Sequence, residues 1–206
     1  VCNPVSPDPA LRGAVYPEFK KFIDLTAAFG GTLICGPLYQ ALGYFTGARP
    51  SEQEWQWADL HEGLNSTLNI VWNELKYKCK VVKEYGDIPP VPCLPSQLNQ
   101  VFLNLLVNAA QAMGEARGRI TIRTGRKRER VWVEIEDNGC GISKEAQANL
   151  FKPFYTTKPR GTGLGLMIAL KMVMLMKGNM EVKSVKNKGT RVTFFIPGER
   201  TENAQS

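Results

Sequence analysis

The chain has 206 residues, 43% of them hydrophobic, and a net charge of +7, enough for one full domain with an apolar core and a smaller N-terminal piece. Its five cysteines form no CxxC pair and none lies near His61, the sole histidine, which argues against a structural zinc site or a disulfide framework and fits a reducing cytosol. The basic residues are expected to lack interleaved exposed aromatics and no DNA- or RNA-binding motif appears, which argues against a nucleic-acid partner.

The N-terminus, VCNPVSPDP, is proline-rich without an apolar core, so no cleavable signal peptide is expected. Residues 1–14 are expected to be extended or disordered. Residues 15–48 are expected to be helical, with breaks at Gly30-Gly31 and Gly36-Pro37. Within them, Leu25 to Ala48 carries no charge and is long enough to cross a bilayer. Its five glycines, a proline and a glutamine thin the apolar density, so it reads as a packed helical region before a membrane segment. The polar bridge ARPSEQEWQ then marks a boundary. This divides the chain into an N-terminal region, 1–57, a main domain, 58–198, and a tail, 199–206.

From Asp59 the pattern becomes regular. Leu60, Leu64, Leu68 and Val71 or Trp72 share one helical stripe. CKVVKEY (79–85) predicts a strand, stopped by Gly86 and a Pro89–Pro92 turn. Pro95-Ser96 opens a second helix with Ser96 as its N-cap, and Leu98, Val101, Phe102, Leu105, Ala109 and Ala112 keep helical spacing. RITIRTGRK (119–127) and RVWVEIED (130–137) alternate apolar and polar residues and predict a hairpin. A glycine-rich loop, a short helix near 144–150 and an apolar helix over 164–176 follow. MEVKSV (180–185) and TRVTFFIP (190–197) make a last hairpin. Paired strands with helices between them predict a two-layer α+β sandwich.

Two basic clusters stand out: Lys76, Lys78, Lys80 and Lys83, then Arg123, Arg126, Lys127, Arg128 and Arg130. Solvated strand and turn surfaces are the favoured reading, ahead of attraction to an acidic partner or polyphosphate.

Three stretches bear on chemistry. Asn104 and Asn108 are one helical turn apart among apolar neighbours. Either they form a satisfied core amide pair, or an amide oxygen coordinates a hard cation such as magnesium; spacing leaves the two even. DNGCGI (137–142) follows a strand. By itself it is good turn chemistry, yet its carboxylate can accept from an exocyclic amine and its glycines allow a flat ligand close to the backbone. TTKPRGTGLGL (156–166) matches neither GxGxxG nor the P-loop. Its glycines still free backbone N–H groups for an anion, beside Lys158 and the positive end of the next helix.

In this order the motifs Asn-x-x-x-Asn-Ala, Asp-x-Gly-x-Gly-Ile, Phe-x-Pro-Phe, Gly-x-Gly-x-Gly and a late Gly-Thr resemble the ATP-binding catalytic domain of sensor histidine kinases, a branch of the gyrase, Hsp90, histidine kinase and MutL superfamily. The resemblance runs from about Asp59 to Pro197. QLNQVFLNLLVNAAQAM (97–113) resembles the asparagine box, DNGCGI the first glycine box, LFKPFYTTK (150–158) the phenylalanine box, GTGLGL (161–166) the second glycine box, and Lys188-Gly189-Thr190 the small final box. The run FKPFYTTKPRGTGLGL is most similar to the nitrogen-regulation type.

The resemblance implies a Bergerat-type fold, with a mixed, mostly antiparallel sheet and helices on one face. It implies ATP and Mg2+ as cofactors, and as partners a dimerisation domain bearing a phosphoacceptor histidine and a response-regulator receiver domain, with homodimers in the full-length context. Asn108 would hold the metal, supported by Asn104. Asp137 would accept the adenine amine, with Thr190 beside it. Gly139, Gly141 and Ile142 would wall the pocket. Lys158 would reach the phosphates, so Asn104, Asn108 and Lys158 carry the catalytic role. Phe154, Thr157, Gly161, Thr162, Gly163, Leu164, Gly165 and Leu166 would belong to the nucleotide-contacting lid, within a mobile stretch between 142 and 163.

Hydrolytic relatives carry glutamate where Asn104 stands, and an amide cannot serve as that base. The resemblance therefore implies phosphoryl transfer to a protein side chain. The alternatives are a non-catalytic nucleotide-binding module, or a serine-protein kinase or ATPase of the same superfamily. His61 falls inside the domain, where a surface polar residue is expected. AAFGGTLICGPLYQALGYF (27–45) faintly resembles a phosphoacceptor box, but alignment on Pro37-Leu38 puts Thr32 at the histidine position and Leu33 at the acid.

Overall fold

The computed structural model describes residues 55–114, 118–152, 154–158 and 161–199. The expectations for residues 1–54, including the helical region and the Thr32 alignment, lie outside the described residues, as do Pro153, Pro159 and Arg160 and the tail from 200. The described residues belong to a compact unit that starts at Trp55.

Its first element, β1 (Gln56–Ala58), begins inside the stretch expected to be a polar bridge. It pairs antiparallel with β3 (Val91–Cys93), so the proline-rich turn before the second helix also holds a strand. Pro92 sits opposite Trp57 in this two-stranded ribbon. Such a ribbon leaves outward positions where a proline without N–H breaks no ladder.

Between them run α1 (Leu60–Leu75) and β2 (Cys79–Tyr85). Asp59 caps α1 by accepting from the His61 N–H at 2.7 Å. Leu60, Leu64, Leu68, Val71 and Leu75 are buried, while Trp72 is half exposed, so the stripe turns through Val71. Helix α2 (Pro95–Ala112) has Leu94 as its N-cap residue and Pro95 in its first turn. Ser96 is therefore not the cap. A proline in the first turn, where N–H groups lack partners anyway, starts the helix without a side-chain cap. Leu98, Val101, Phe102, Leu105, Leu106, Ala109 and Ala110 are buried along α2. Each of the large side chains among them contributes about 1.5–3 kcal/mol of transfer free energy.

The remaining elements are β4 (Gly118–Lys127), β5 (Arg130–Asp137), α3 (Lys144–Gln147), α4 (Gly165–Leu175), β6 (Asn179–Val185) and β7 (Gly189–Pro197). The main sheet has the order β2-β4-β5-β7-β6. The β2–β4 pair is parallel and the others antiparallel. Strands alternate their side chains between faces. One face therefore presents Ile120, Ile122, Val131, Val133, Ile135, Phe194 and Ile196, all buried. Helix α2 packs against α1, α4 and β5, and Phe102 meets Phe194 at 6.0 Å between ring centres. This is the expected two-layer sandwich with a mixed, mostly antiparallel sheet.

The second basic cluster is only partly solvated. On the other face of the sheet Arg123 bonds Glu84, Glu134 and Glu136 at 2.5–2.8 Å, and Arg191 bonds Glu136 at 2.7 Å. His61 is likewise no plain surface residue. Its ring stacks on Tyr85 with centres 4.4 Å apart, and its Nε2 lies 2.8 Å from Thr124 Oγ1. Burial there pushes the Tyr85 hydroxyl up to about 12. Among the described residues, no helix is long and apolar enough to cross a membrane.

Candidate functional site

The candidate site forms where α2, the β5 end, α4 and the 154–158 segment meet. The last residue of β5 ends an inward row of Val131, Val133 and Ile135 with a carboxylate. Asp137 is only 8% exposed. Its Oδ1 accepts from the Gly139 N–H at 2.8 Å. Burial raises its pKa, and the Gly139 and Thr190 backbone groups and the Lys158 charge offset part of that rise. Thr190 is the register partner of Asp137 on β7.

The loop after Asp137 is pinned from both sides. Cys140 N–H donates to Ala112 O at the end of α2, at 2.9 Å, and so satisfies one of the orphan carbonyls there. Asn187 N–H donates to Cys140 O at 2.7 Å, and Ile142 N–H to Ser184 Oγ at 2.8 Å. Ser184 Oγ in turn lies 2.9 Å from Thr190 Oγ1. This close fit explains the glycines. A Cβ on Gly139 would collide with Ala112 O. Gly141 has φ +61°, and a Cβ there would collide with Val185 O.

On α2, Gln100 Nε2 donates to Asn104 Oδ1 at 3.2 Å, while the buried Asn104 Nδ2 has no partner. The two asparagines are thus not a satisfied core pair, and a buried amide donor without an acceptor marks a place for one. One turn on, Asn108 Oδ1 accepts from Lys158 Nζ at 3.1 Å, and Gln111 Oε1 accepts from the same ammonium at 2.9 Å. Burial lowers the Lys158 pKa, partly offset by the neighbouring Asp137 carboxylate.

The N-terminus of α4 closes this side. Leu164 provides no side-chain cap, so the first N–H groups of α4 keep their donor capacity. A Cβ on Gly165 would lie 3.7 Å from Asn104 Oδ1 and 3.8 Å from Asn108 Nδ2. Gly163 has φ +68°, and its Cβ would collide with the carbonyl carbon of Phe154, itself at φ +63°. Gly161 N–H donates to Lys158 O at 3.1 Å.

The structure therefore brings Asn104, Asn108, Lys158 and Gly165 into one cluster, and Asp137, Gly139, Gly141, Ile142 and Thr190 into another. Lys158 couples the two electrostatically. Thr157 and Thr162 are exposed, and Leu164 and Leu166 are partly buried at the start of α4. Sequence reasoning missed Gln111 and Ser184. The first had a signal, since it lies three residues after Asn108 on the same helix face. Ser184 had none, because only the β6–β7 register brings it to the loop.

A residue cluster able to hold a metal by itself, of at least three His, Cys, Asp or Glu, is absent among the described residues. The donors present fit magnesium instead, because that ion keeps several waters and is held by one or two protein oxygens plus substrate phosphates.

Comparison with known proteins agrees with this geometry. Residues 93–200 match the family profile described as histidine kinase-, DNA gyrase B-, and HSP90-like ATPase. The chain is 35% identical over 153 residues to the signal transduction histidine-protein kinase AtoS of Escherichia coli strain K12, covering 73% of this chain and 25% of that protein. It is 35% identical over 149 residues to the sensory histidine kinase/phosphatase NtrB of Klebsiella oxytoca, covering 67% of this chain and 42% of that protein. The chain thus spans a quarter to under half of these relatives' lengths. Among solved structures, the catalytic domain of histidine kinase ThkA superposes with a TM-score of 0.65 at 29% identity, covering 71% of this chain and 97% of that one. The chain belongs to the histidine kinase-, DNA gyrase B- and HSP90-like ATPase family, and its similarity within that family runs to the ATP-binding catalytic domains of sensor histidine kinases.

Proposed function

We propose that the chain binds Mg-ATP between its two residue clusters and transfers the γ-phosphate to a histidine carried by another chain or segment. The observation that carries this reading is the Lys158 ammonium on Asn108 Oδ1. It joins the phenylalanine-box segment to the asparagine helix, close to the carboxylate of Asp137. Magnesium would supply charge neutralisation on the phosphates, with Asn108 as its protein ligand.

The chain's own residues divide the work. Asp137 accepts the adenine amine in a buried, low-dielectric place, with Thr190 and the Gly139–Ile142 backbone beside the base. Lys158 offers positive charge to the phosphates. The uncapped N–H groups of α4, starting at Gly165, attract anionic oxygens. Asn104 Nδ2 supplies a neutral donor. With an amide at that position and no carboxylate to take a proton from water, hydrolysis is slow and the γ-phosphate is kept for transfer.

His61 is the only histidine, and its Nε2 is engaged with Thr124 while its ring stacks on Tyr85. The phosphoacceptor is therefore supplied from a separate dimerisation domain, and a receiver domain takes the phosphoryl group next. Use of ATP as the phosphoryl donor fits a cytoplasmic location, and so does the lack of a disulfide among the described cysteines.

Titration calorimetry with an unhydrolysable ATP analogue and magnesium tests binding, and absence of heat from binding sinks the reading. Incubation with radiolabelled ATP and an isolated dimerisation domain of a related kinase tests transfer. Acid-labile label on that domain is expected. Acid-stable label or rapid turnover would instead indicate a serine-protein kinase or an ATPase.

A further inference from the structure

We infer that Gln111 is a positioning residue of this site: with Asn108 it seats Lys158, and so sets how readily Asn108 Oδ1 is released to a divalent cation. The inference rests on the nucleotide-site reading above. Gln111 lies three residues after Asn108, so the two amides share one face of α2. Their oxygens hold the same ammonium at 3.1 Å and 2.9 Å. An ammonium has three donors, and two are spent here. The segment carrying Lys158 is tied locally as well, since its N–H donates to Thr156 Oγ1 at 3.1 Å and its carbonyl accepts from Gly161 N–H at 3.1 Å.

A divalent cation and an ammonium cannot share Asn108 Oδ1 without strong short-range repulsion. Lys158 must therefore exchange its amide acceptors for phosphate oxygens when the metal–nucleotide arrives. Gln111 stabilises the seated position without itself being needed for either ligand. It is the internal counterweight to metal binding.

The test uses two variants of an exposed helical position that both keep helix propensity. In the chain without added ligand, Gln111→Leu is expected to speed amide hydrogen exchange at residues 155–158. Gln111→Glu is expected to slow it, because a charged acceptor holds the ammonium more strongly. With the ATP analogue present, Gln111→Leu is expected to lower the magnesium concentration for half-saturation by about threefold to tenfold, the effect of one typical hydrogen bond at an exposed position. Faster exchange in both variants would mark Gln111 as merely structural and overturn the inference. So would unchanged exchange in both, or a raised magnesium requirement in Gln111→Leu. If no nucleotide binds, the exchange comparison still decides how Lys158 is seated, and only the functional reading falls.

Discussion

At Asp137, binding and stability pull in opposite directions. Its carboxylate is buried and its pKa is raised, with burial as the largest cause. A folded-state pKa above the unfolded value means that the folded chain holds the extra proton, so this group costs stability once the pH rises through the raised value. Asp137→Asn removes that cost and keeps an oxygen able to accept from Gly139 N–H. Its melting temperature in calorimetry is expected to rise at neutral pH. Its affinity for an adenine nucleotide is expected to fall by about 1.5–3 kcal/mol, the range for a hydrogen bond to a charged group. An unchanged dissociation constant would show that the base binds elsewhere. In the wild-type chain, affinity is expected to weaken on acidification at a higher pH than an ordinary aspartate would give.

At the scale of elements, two glycines separate conformational need from ligand need. Gly141 lies in the left-handed region with Val185 O where a Cβ would be. Gly141→Ala is expected to destabilise the chain by at least about 1–2 kcal/mol from backbone strain alone, read from urea unfolding. Gly165 starts α4 without a clash, since a methyl group added there would make only ordinary van der Waals contact, its nearest atom lying at 3.7 Å. Gly165→Ala is expected to leave stability unchanged or slightly raised, since alanine is the better helix former. It is also expected to weaken nucleotide binding by placing that methyl between α4 and the asparagines. Calorimetry and a melting curve on the same sample separate the two effects. The contrast also shows what sequence made legible. Long periodic stripes, such as Leu60 to Val71 and Val131 to Ile135, placed helices and strands within a few residues, because burial imposes their period. The motif residues were legible as a set, since their order constrained one another. Short elements were not. Val91–Cys93 carries turn residues and becomes a strand only because Gln56–Ala58 lies alongside. Ser96 had the chemistry of a cap, but Pro95 had already begun the helix. The Lys158 contact joins residues 50 apart in sequence, and no local pattern encodes it.

Across the whole molecule the sheet separates two tasks. Its helix side carries the apolar core and the site, while its other side carries an ionic network that runs from β2 to β7 through Arg123, Glu84, Glu134, Glu136 and Arg191. Arg123 is 30% exposed and Glu134 only 15%, so these groups are screened less than ordinary surface pairs. Arg123 is the hub, and its removal would leave clustered carboxylates without their shared cation. Arg123→Met is therefore expected to lose about 1–3 kcal/mol at neutral pH in urea unfolding. Glu136 gives the pH dependence its sign. Its pKa is lowered, chiefly by the hydrogen bonds from Arg123 and Arg191. The stability it adds is complete above the ordinary glutamate value of 4.5 and is lost as the pH falls through its lowered folded value. The gap between wild type and Arg123→Met should accordingly narrow in acid. Because Arg123 points to the face opposite Ile122 and the helices, nucleotide affinity in the variant is expected to match wild type wherever both are folded. A loss of affinity equal to the loss of stability would mean that the two faces of the sheet are coupled, and that the network helps hold the end of β5 where Asp137 sits.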